Sequence, residues 1–326
     1  MKKNRVFRIS AGLASAIAAA SILWPASASA AWPADKPIRM IIPYAPGGAT
    51  DILGRAVSAK LATRLGQNIV VENRPGAGSM LGSQHVSRSQ PDGYTLLLGS
   101  ISNVLNAYFY KDPIYNIRTD LEPVTQIVSV PNYLGVNKSV PAKSIAELIK
   151  LAKAKPNSLS CAVSGIGSSP YLSCELFKIL AGVQIINVPF KGGAPAIQST
   201  IGGQTTMFFA NEAMPYIQAG QVRALGVTTA KRTPYLSDVP AISETLPTYD
   251  VTAWYGVWAP AKTPPEIVNK LSSEIAVVLK DPSLRQVFAS LGATPVDSNP
   301  QAFKQYINAE LDRWQKITQQ MKVIPQ

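Results

Sequence analysis

The 326-residue sequence contains a single histidine, His85, and only two cysteines, Cys161 and Cys174. A zinc site built from His and Cys takes about four such ligands, so this chain does not supply one by itself. Ser-His-Asp or Cys-His catalysis would depend on one imidazole, and no Gly-x-Ser-x-Gly motif accompanies it. These shortages disfavour hydrolases and metalloenzymes, and we expect a protein that is not an enzyme and uses no cofactor.

Charged residues are also scarce, at 15% of the sequence, whereas apolar residues make up 46%. This balance excludes a disordered polymer, and the length fits two domains with buried cores. The net charge is +12, but the Lys and Arg residues are scattered and form neither a basic run nor an RNA-binding motif. We therefore expect no nucleic-acid partner.

The first 30 residues are typical of an export signal. Four basic residues precede the apolar segment 9–24, and Ala28-Ser29-Ala30 matches a signal-peptidase site. Cleavage after Ala30 would leave a mature chain that begins at Ala31 and carries a net charge of +8, because the signal contains no acidic residue. The residue directly after the cleavage site is not a cysteine, and no later apolar run is long enough to cross a bilayer. The sequence predicts a soluble exported protein.

In the mature chain, short apolar segments alternate with segments of helical periodicity. This alternation is typical of βα units and predicts mostly parallel sheets flanked by helices, arranged as two α/β units. The predicted strands are 38–43, 69–72, 94–98, 159–163, 185–188, 205–209 and 223–227. Trp254, Tyr255 and Trp258 lie on a later apolar segment, where core packing and lining of a cleft are both open.

Three glycine-rich turns each follow a predicted strand and open a helix. Two contain Gly-Gly, in PYAPGGA (43–49) and PFKGGA (189–194), and the third is SGIGSS (164–169). The free N–H groups and dipole of a helix N-terminus favour an anion. The third turn could hold a carboxylate, or it could be an ordinary turn with a serine N-cap. None of the three matches a dinucleotide fingerprint or a P-loop.

Several single residues have two interpretations each. Asp51 fits a helix first-turn acid, and Lys191 could neutralise an anionic ligand or be solvated. Asn211 follows a strand at the edge where open α/β sheets bind ligands. Cys161 and Cys174 could form a disulfide in an oxidising compartment or remain two buried thiols on a strand and its following helix.

The ordered set of motifs resembles the Bug family (UPF0065), the periplasmic substrate-binding proteins of tripartite tricarboxylate transporters (TTT) of Gram-negative bacteria. The resemblance covers residues 32–326. It rests on IIPYAPGGATDILGR (41–55), ENRPGAGSMLGS (72–83), PDGYTLLLGS (91–100), SGIGSSPYL (164–172), NVPFKGGAPA (187–196), GQVRALGVTTAKR (220–232) and WAPAKTPPEIVNKL (258–271).

The resemblance implies a two-domain periplasmic binding protein of the Venus-flytrap, type II-like class. Residues 31–130 and 250–326 would form the first domain and residues 131–249 the second, with crossings near 129–133 and 239–252. A monomer would capture a small carboxylate, such as a di- or tricarboxylate, an acidic amino acid or an aromatic acid, and deliver it to a TTT-type inner-membrane permease. The alternative is a periplasmic receptor for a two-component sensor kinase.

The resemblance also implies which residues hold the ligand, at the turns of the two domains that would pinch one carboxylate. The turn of the first domain contributes Pro46, Gly47, Gly48, Thr50 and Asp51. The turn of the second contributes Ser164, Gly165, Gly167 and Ser168. The expected secondary contacts are Ser100, Ser102, Asn103, Lys191, Gly192 and Gly193, with Asn211 added from its strand-edge position. No metal ligand is expected.

Overall fold

The computed structural model describes residues 32–321, which fold around two β-sheets flanked by helices. The predicted export signal, its cleavage after Ala30 and the mature N-terminus at Ala31 lie outside the described residues. Between residues 32 and 321, no helix has both the length and the apolar character needed to cross a membrane.

The strands follow the predicted positions closely and include four that the sequence did not indicate. Numbered along the chain, they are β1 (Ile38–Ile42), β2 (Ile69–Asn73), β3 (Thr95–Ser100), β4 (Leu121–Pro131), β5 (Tyr133–Val136), β6 (Ser160–Val163), β7 (Ile186–Pro189), β8 (Met207–Ala210), β9 (Arg223–Val227), β10 (Thr252–Pro260) and β11 (Thr294–Pro295). The first sheet has the order β11-β4-β10-β3-β1-β2, and the second has the order β7-β6-β8-β5-β9.

In each sheet most strands run in the same direction, as expected, and the sheets are mixed because β10 and β11 in the first and β5 in the second run the opposite way. In the first sheet, β1 is parallel to β2 and β3, whereas β10 is antiparallel to β3 and β4. In the second sheet, β6 is parallel to β7 and β8, whereas β5 is antiparallel to β8 and β9. The β4–β10 pair is antiparallel because the chain leaves the first sheet along β4 and returns along the neighbouring β10.

The helices begin and end at residues suited to those positions. They are α1 (Ala49–Leu65), α2 (Met80–Ser87), α3 (Ile101–Phe109), α4 (Ile145–Ala154), α5 (Ser169–Ala181), α6 (Gly193–Ile201), α7 (Met214–Gln218), α8 (Pro265–Val278), α9 (Pro282–Ser290) and α10 (Pro300–Gln320). Gly66 and Gly182 end α1 and α5 at φ values of 63° and 61°, a left-handed conformation that glycine adopts without a steric penalty. Asn299 caps α10 by accepting a hydrogen bond from the N–H of Ala302.

The chain passes between the sheets at two adjacent segments. Asn132, which is fully buried, joins β4 to β5, and its N–H donates to the Thr228 hydroxyl at 2.8 Å. In return, the Thr228 N–H donates to the Asn132 carbonyl at 3.0 Å, and the Val251 N–H donates to the Thr228 carbonyl at 2.9 Å. These hydrogen bonds fasten the outgoing and returning segments to each other, so the chain crosses between the two sheets in one narrow region.

The two cysteines are buried free thiols, Cys161 on β6 and Cys174 on α5. The Cys174 thiol donates to the Asn187 Oδ1 at 3.1 Å. Burial, together with the neighbouring Cys174, raises the pKa of the Cys161 thiol. Because the thiolate is the reactive form, this environment makes Cys161 unreactive in the folded protein.

We therefore expect thiol titration of the native protein, without reductant, to detect no reactive cysteine. The same assay in guanidinium chloride should detect two thiols per chain, because unfolding exposes both sulfurs to water. A matched sample that is reduced before unfolding is the control and should give the same count. A count of zero in the unreduced, unfolded sample would show that the pair is a disulfide.

Candidate functional site

The turn after β1 presents a helix N-terminus that lacks a side-chain cap. Gly48 is the N-cap of α1, at φ −81° and ψ 172°, and no side chain hydrogen-bonds to it. A Cβ added to Gly48 or to Gly47 would meet no atom within 4 Å. Gly47 has a φ of +88°, which favours glycine. The backbone of this turn is thus open to a close approach by a ligand.

Asp51 stabilises this turn from within. Its carboxylate accepts hydrogen bonds from the Gly47 N–H at 3.0 Å, the Arg55 Nε at 3.0 Å and the Asn73 amide at 2.9 Å. Burial raises the pKa of Asp51, but these hydrogen bonds outweigh it and lower the pKa below its ordinary value. The residue therefore carries a compensated charge that shapes the loop, as its position in the first turn of α1 indicated.

Ser100 and Asn103 form a second polar cluster, where β3 meets α3. The Asn103 Oδ1 accepts from the Ser100 N–H at 2.8 Å and from the Tyr44 hydroxyl at 3.0 Å. Its amide nitrogen donates to the Ser83 hydroxyl at 2.7 Å, and the Ser102 N–H donates to the Ser100 Oγ at 3.3 Å. These bonds hold the Tyr44 hydroxyl, whose pKa is raised by burial, beside Ser100 at 2.7 Å.

The third turn, between β6 and α5, combines two left-handed glycines with a capping serine. Gly165 and Gly167 have φ values of 108° and 76°. Ser168 accepts a hydrogen bond from the Tyr171 N–H at 3.3 Å and donates one to the Gly165 carbonyl at 2.6 Å, which makes it the N-cap of α5. Ser164 at the start of the turn is half-buried.

This third turn lies against an element of the first sheet. A Cβ on Gly167 would lie 3.6 Å from the ring of Phe109, the last residue of α3. Phe109 also packs edge-on against Tyr171 of α5, with 5.9 Å between the ring centroids. Helices that follow strands of different sheets are therefore in contact here.

The turn before α6 resembles the turn before α1, because its helix N-terminus also lacks a side-chain cap and has a glycine as its N-cap. Its N-cap, Gly192, has a φ of +126° and a ψ of 170°, and no side chain hydrogen-bonds to it. Gly193 is the first residue of the helix and is buried, whereas Lys191 is exposed. Glycine is therefore favoured at position 192 by the positive φ, and at position 193 by a close contact that leaves no room for a Cβ.

The close contact at Gly193 is with Glu212, a residue that sequence reasoning missed. A Cβ at Gly193 would collide with the Glu212 carboxylate, which also faces the N–H of Ala49, the first residue of α1. The carboxylate thus lies where the uncapped N-termini of α1 and α6 approach each other. Burial raises the pKa of Glu212, and the backbone hydrogen bonds act in the opposite direction.

Asn211 and Tyr255 complete this contact. All polar groups are satisfied when the Asn211 amide nitrogen faces the Glu212 Oε2 at 2.8 Å and its oxygen accepts from the Tyr255 hydroxyl at 3.0 Å. Tyr255 lies on β10 of the first sheet, whereas Asn211 follows β8 of the second. Burial raises the pKa of Tyr255, so its hydroxyl stays a hydrogen-bond donor at neutral pH.

The structure therefore brings four of the sequence-predicted residues, Gly48, Thr50, Gly193 and Asn211, to one contact between the two sheets. The Glu212 carboxylate lies between Gly193 and the N–H of Ala49, which directly follows Gly48. The Tyr255 hydroxyl lies between Thr50 and Asn211. One feature of the sequence could have identified Glu212 as a site residue: it directly follows Asn211 at the same strand edge. Within residues 32–321, no three His, Cys, Asp or Glu side chains are grouped so that they could hold a metal ion. The arrangement offers backbone N–H groups and hydroxyls, which suit an anion.

Comparisons with known proteins show the family to which the chain belongs. Residues 53–323 match the family described as "Tripartite tricarboxylate transporter family receptor". Protein BugT of Bordetella pertussis is 35% identical over 309 residues, which cover 93% of this chain and 94% of BugT. A UPF0065 protein of Pseudomonas sp. strain P51 is 34% identical over 86% of this chain and 85% of its own length.

Solved structures show the same fold. That of the periplasmic binding protein BugD has a TM-score of 0.82 and 32% identity, and it covers 90% of this chain and 99% of BugD. R. palustris Rpa4515 with adipate has a TM-score of 0.85 and 36% identity, covering 90% and 100%. MatC from Rhodopseudomonas palustris with bound malate has a TM-score of 0.80 and 33% identity, covering 87% and 99%. The α/β periplasmic-binding-protein fold is thus confirmed, and the chain belongs to the tripartite tricarboxylate transporter receptor family of Bug proteins.

Proposed function

We propose that this chain is a periplasmic solute-binding protein that captures a small carboxylate between its two sheets and delivers it, chemically unchanged, to a TTT-type permease. One observation carries the proposal: the N-termini of α1 and α6 approach the same carboxylate group, and the N-cap of each helix is a glycine, which has no side chain to bind the free N–H groups. Their N–H groups and dipoles favour negative charge. That carboxylate belongs to Glu212.

The proposal includes a monomer of two domains. Residues 31–130 and 250–326 would form the first domain and residues 131–249 the second. The order of the strands supports this division, because all strands of the second sheet, β5 to β9, lie in the sequence between β4 and β10 of the first sheet. Movement about the Asn132 and Val251 segments would open the cleft, and a ligand held by both domains would favour the closed form.

Within this proposal, the predicted site residues have two kinds of role. The open backbone at Gly47, Gly48 and Gly165 would face the ligand, and so would the hydroxyls of Thr50 and Ser164. The other residues would act by holding these groups in place or by lining the entrance. They are Pro46, Asp51, Ser100, Ser102, Asn103, Gly167, Ser168, Lys191, Gly192, Gly193 and Asn211.

The relatives support a dicarboxylate-sized ligand. Rpa4515 with adipate and MatC with bound malate share the fold at TM-scores of 0.85 and 0.80. Both ligands present carboxylates at the two ends of a short carbon chain. A ligand of this kind would be held by charge-assisted hydrogen bonds at its carboxylates.

A thermal-shift screen of the mature protein against adipate, malate, succinate, citrate, aspartate, glutamate and benzoate tests the proposal. A ligand that binds only the native state at 100 times its Kd stabilises that state by about 2.7 kcal/mol, which is a readily measured rise in Tm. We expect such a rise with at least one acid and none with its methyl ester, and the acid should be recovered unaltered. No rise with any acid would contradict the proposal, and a chemically altered acid would indicate an enzyme.

A further inference from the structure

Glu212 places a negative charge inside a cleft that is otherwise built for negative ligands. The residue is half-buried, and its carboxylate faces inward, between the Ala49 N–H, Gly193 and the Asn211 amide. These partners belong to three separate elements: α1 of the first sheet, and α6 and the β8–α7 turn of the second. The side chain is therefore held in place by the site itself.

Within residues 32–321, no lysine or arginine side chain pairs with this carboxylate. Asp51, in contrast, pairs with Arg55 in the adjacent turn. Lys191, near the start of α6, is exposed. A carboxylate removed from water without a cation is costly, and hydrogen bonds from neutral groups repay only part of that cost.

A bound ligand changes this balance in one of two ways. A plain dicarboxylate would bring another negative charge to the N-termini of α1 and α6, next to Glu212, and would compete with it for the Ala49 N–H. A ligand that carries an ammonium group beside its carboxylate would instead bring the missing counter-ion. Its carboxylate could take the helix N-termini while its ammonium group pairs with Glu212, and a desolvated pair of this kind is stronger than one in water.

We propose that Glu212 is a specificity-determining residue, which selects ligands with a protonated amine beside the carboxylate over ligands that carry carboxylates alone. The proposal rests on the proposed function, because it assumes that the ligand carboxylate binds between the two sheets. Gly193 contributes by lacking a Cβ, which leaves room for the Glu212 carboxylate. The Tyr255 hydroxyl contributes by orienting the Asn211 amide towards it.

The test uses two pairs of acids that differ only by one amine: succinate against aspartate, and glutarate against glutamate. Isothermal titration calorimetry gives Kd values for the mature wild-type protein and for Glu212→Gln, which keeps the shape of the side chain and removes its charge. Glu266→Gln is the matched control, because Glu266 is an exposed carboxylate in the first turn of α8.

We expect the wild type to bind the amino form of at least one pair at least 10-fold more tightly than the plain form. Glu212→Gln should bring that ratio close to one by weakening the amino acid and strengthening the plain acid, whereas Glu266→Gln should leave it unchanged. Circular dichroism and Tm establish that each variant is folded. If Glu212→Gln is unfolded, Glu212→Ser replaces it, with the same expected loss of the ratio.

Three results would overturn the proposal. The first is a wild type that prefers the plain acids, and the second is an amine preference that Glu212→Gln leaves intact. The third is equal strengthening of every acid in Glu212→Gln without any amine preference, which would make Glu212 only an internal competitor for the helix N-termini. In each case carboxylate binding itself persists, so the proposed function would stand. Absence of binding by all four probes overturns this proposal, and absence across the wider screen overturns both.

Discussion

Gly48→Val is expected to weaken carboxylate binding at least 100-fold while the protein stays folded. Gly48 has a φ of −81° and a ψ of 172°, which any residue adopts, and a Cβ there meets no atom within 4 Å. The valine side chain would therefore fit the ligand-free protein. It would, however, occupy the space through which a carboxylate reaches the N–H groups of α1. Loss of two charge-assisted hydrogen bonds, at about 1.5 kcal/mol each, corresponds to about 100-fold in Kd.

Calorimetry with the best acid from the screen measures this effect, and urea unfolding measures stability. We expect the free energy of unfolding to fall by about 1 kcal/mol, because valine is a poorer N-cap than glycine, and a loss of this size leaves the protein folded. Gly48→Ala should give an intermediate loss of affinity. Its matched control is Gly202→Ala, at the opposite end of α6, where φ is −74° and the nearest atom to a Cβ is 3.4 Å away. Wild-type affinity in folded Gly48→Val would move the site elsewhere.

The glycine turns could be predicted because their determinants are local. An apolar strand followed by Gly-Gly and a helical repeat specifies a helix N-terminus within about ten residues of sequence, as at Gly48 and Gly193. The Asn211 position followed from the general rule for the carboxyl ends of strands. In each case the neighbours that fix the conformation are close in sequence.

The contacts between the sheets could not be predicted in this way. Glu212 follows an apolar strand like many solvated acids, and only the closure of the two sheets places it against Ala49, 163 positions earlier in the chain. Strand β4 was missed because it includes Glu122, Thr125 and Gln126, which obscure its apolar pattern even though the strand is buried almost throughout. Its character depends on β10 and α10, which lie far away in sequence.

From the sequence alone, the aromatic residues of β10 could either pack in the core or line a cleft. In the structure, two adjacent residues of this strand have one role each. Trp254 is fully buried, with its ring 5.7 Å from that of Phe303 and 5.4 Å from that of Tyr306, and its Nε1 donates to Glu310 at 3.3 Å. Tyr255, on the opposite face of the strand, directs its hydroxyl to Asn211. Trp254 therefore packs in the core, and Tyr255 reaches the cleft.

Trp254→Ala should lower the free energy of unfolding by about 3 to 5 kcal/mol, because it removes a large buried ring and leaves a cavity. Tyr255→Phe, the matched variant, should cost about 1 kcal/mol of stability, since it keeps the ring and removes one hydrogen bond. Urea unfolding followed by circular dichroism measures both. The effects on affinity, measured by calorimetry, should have the opposite order. The folded fraction of Trp254→Ala should bind its acid with the wild-type Kd. Tyr255→Phe should bind several-fold more weakly, because the Asn211 amide loses its orientation. A Trp254→Ala protein with wild-type stability and altered affinity would place that ring in the cleft, and the β10 register would then be wrong.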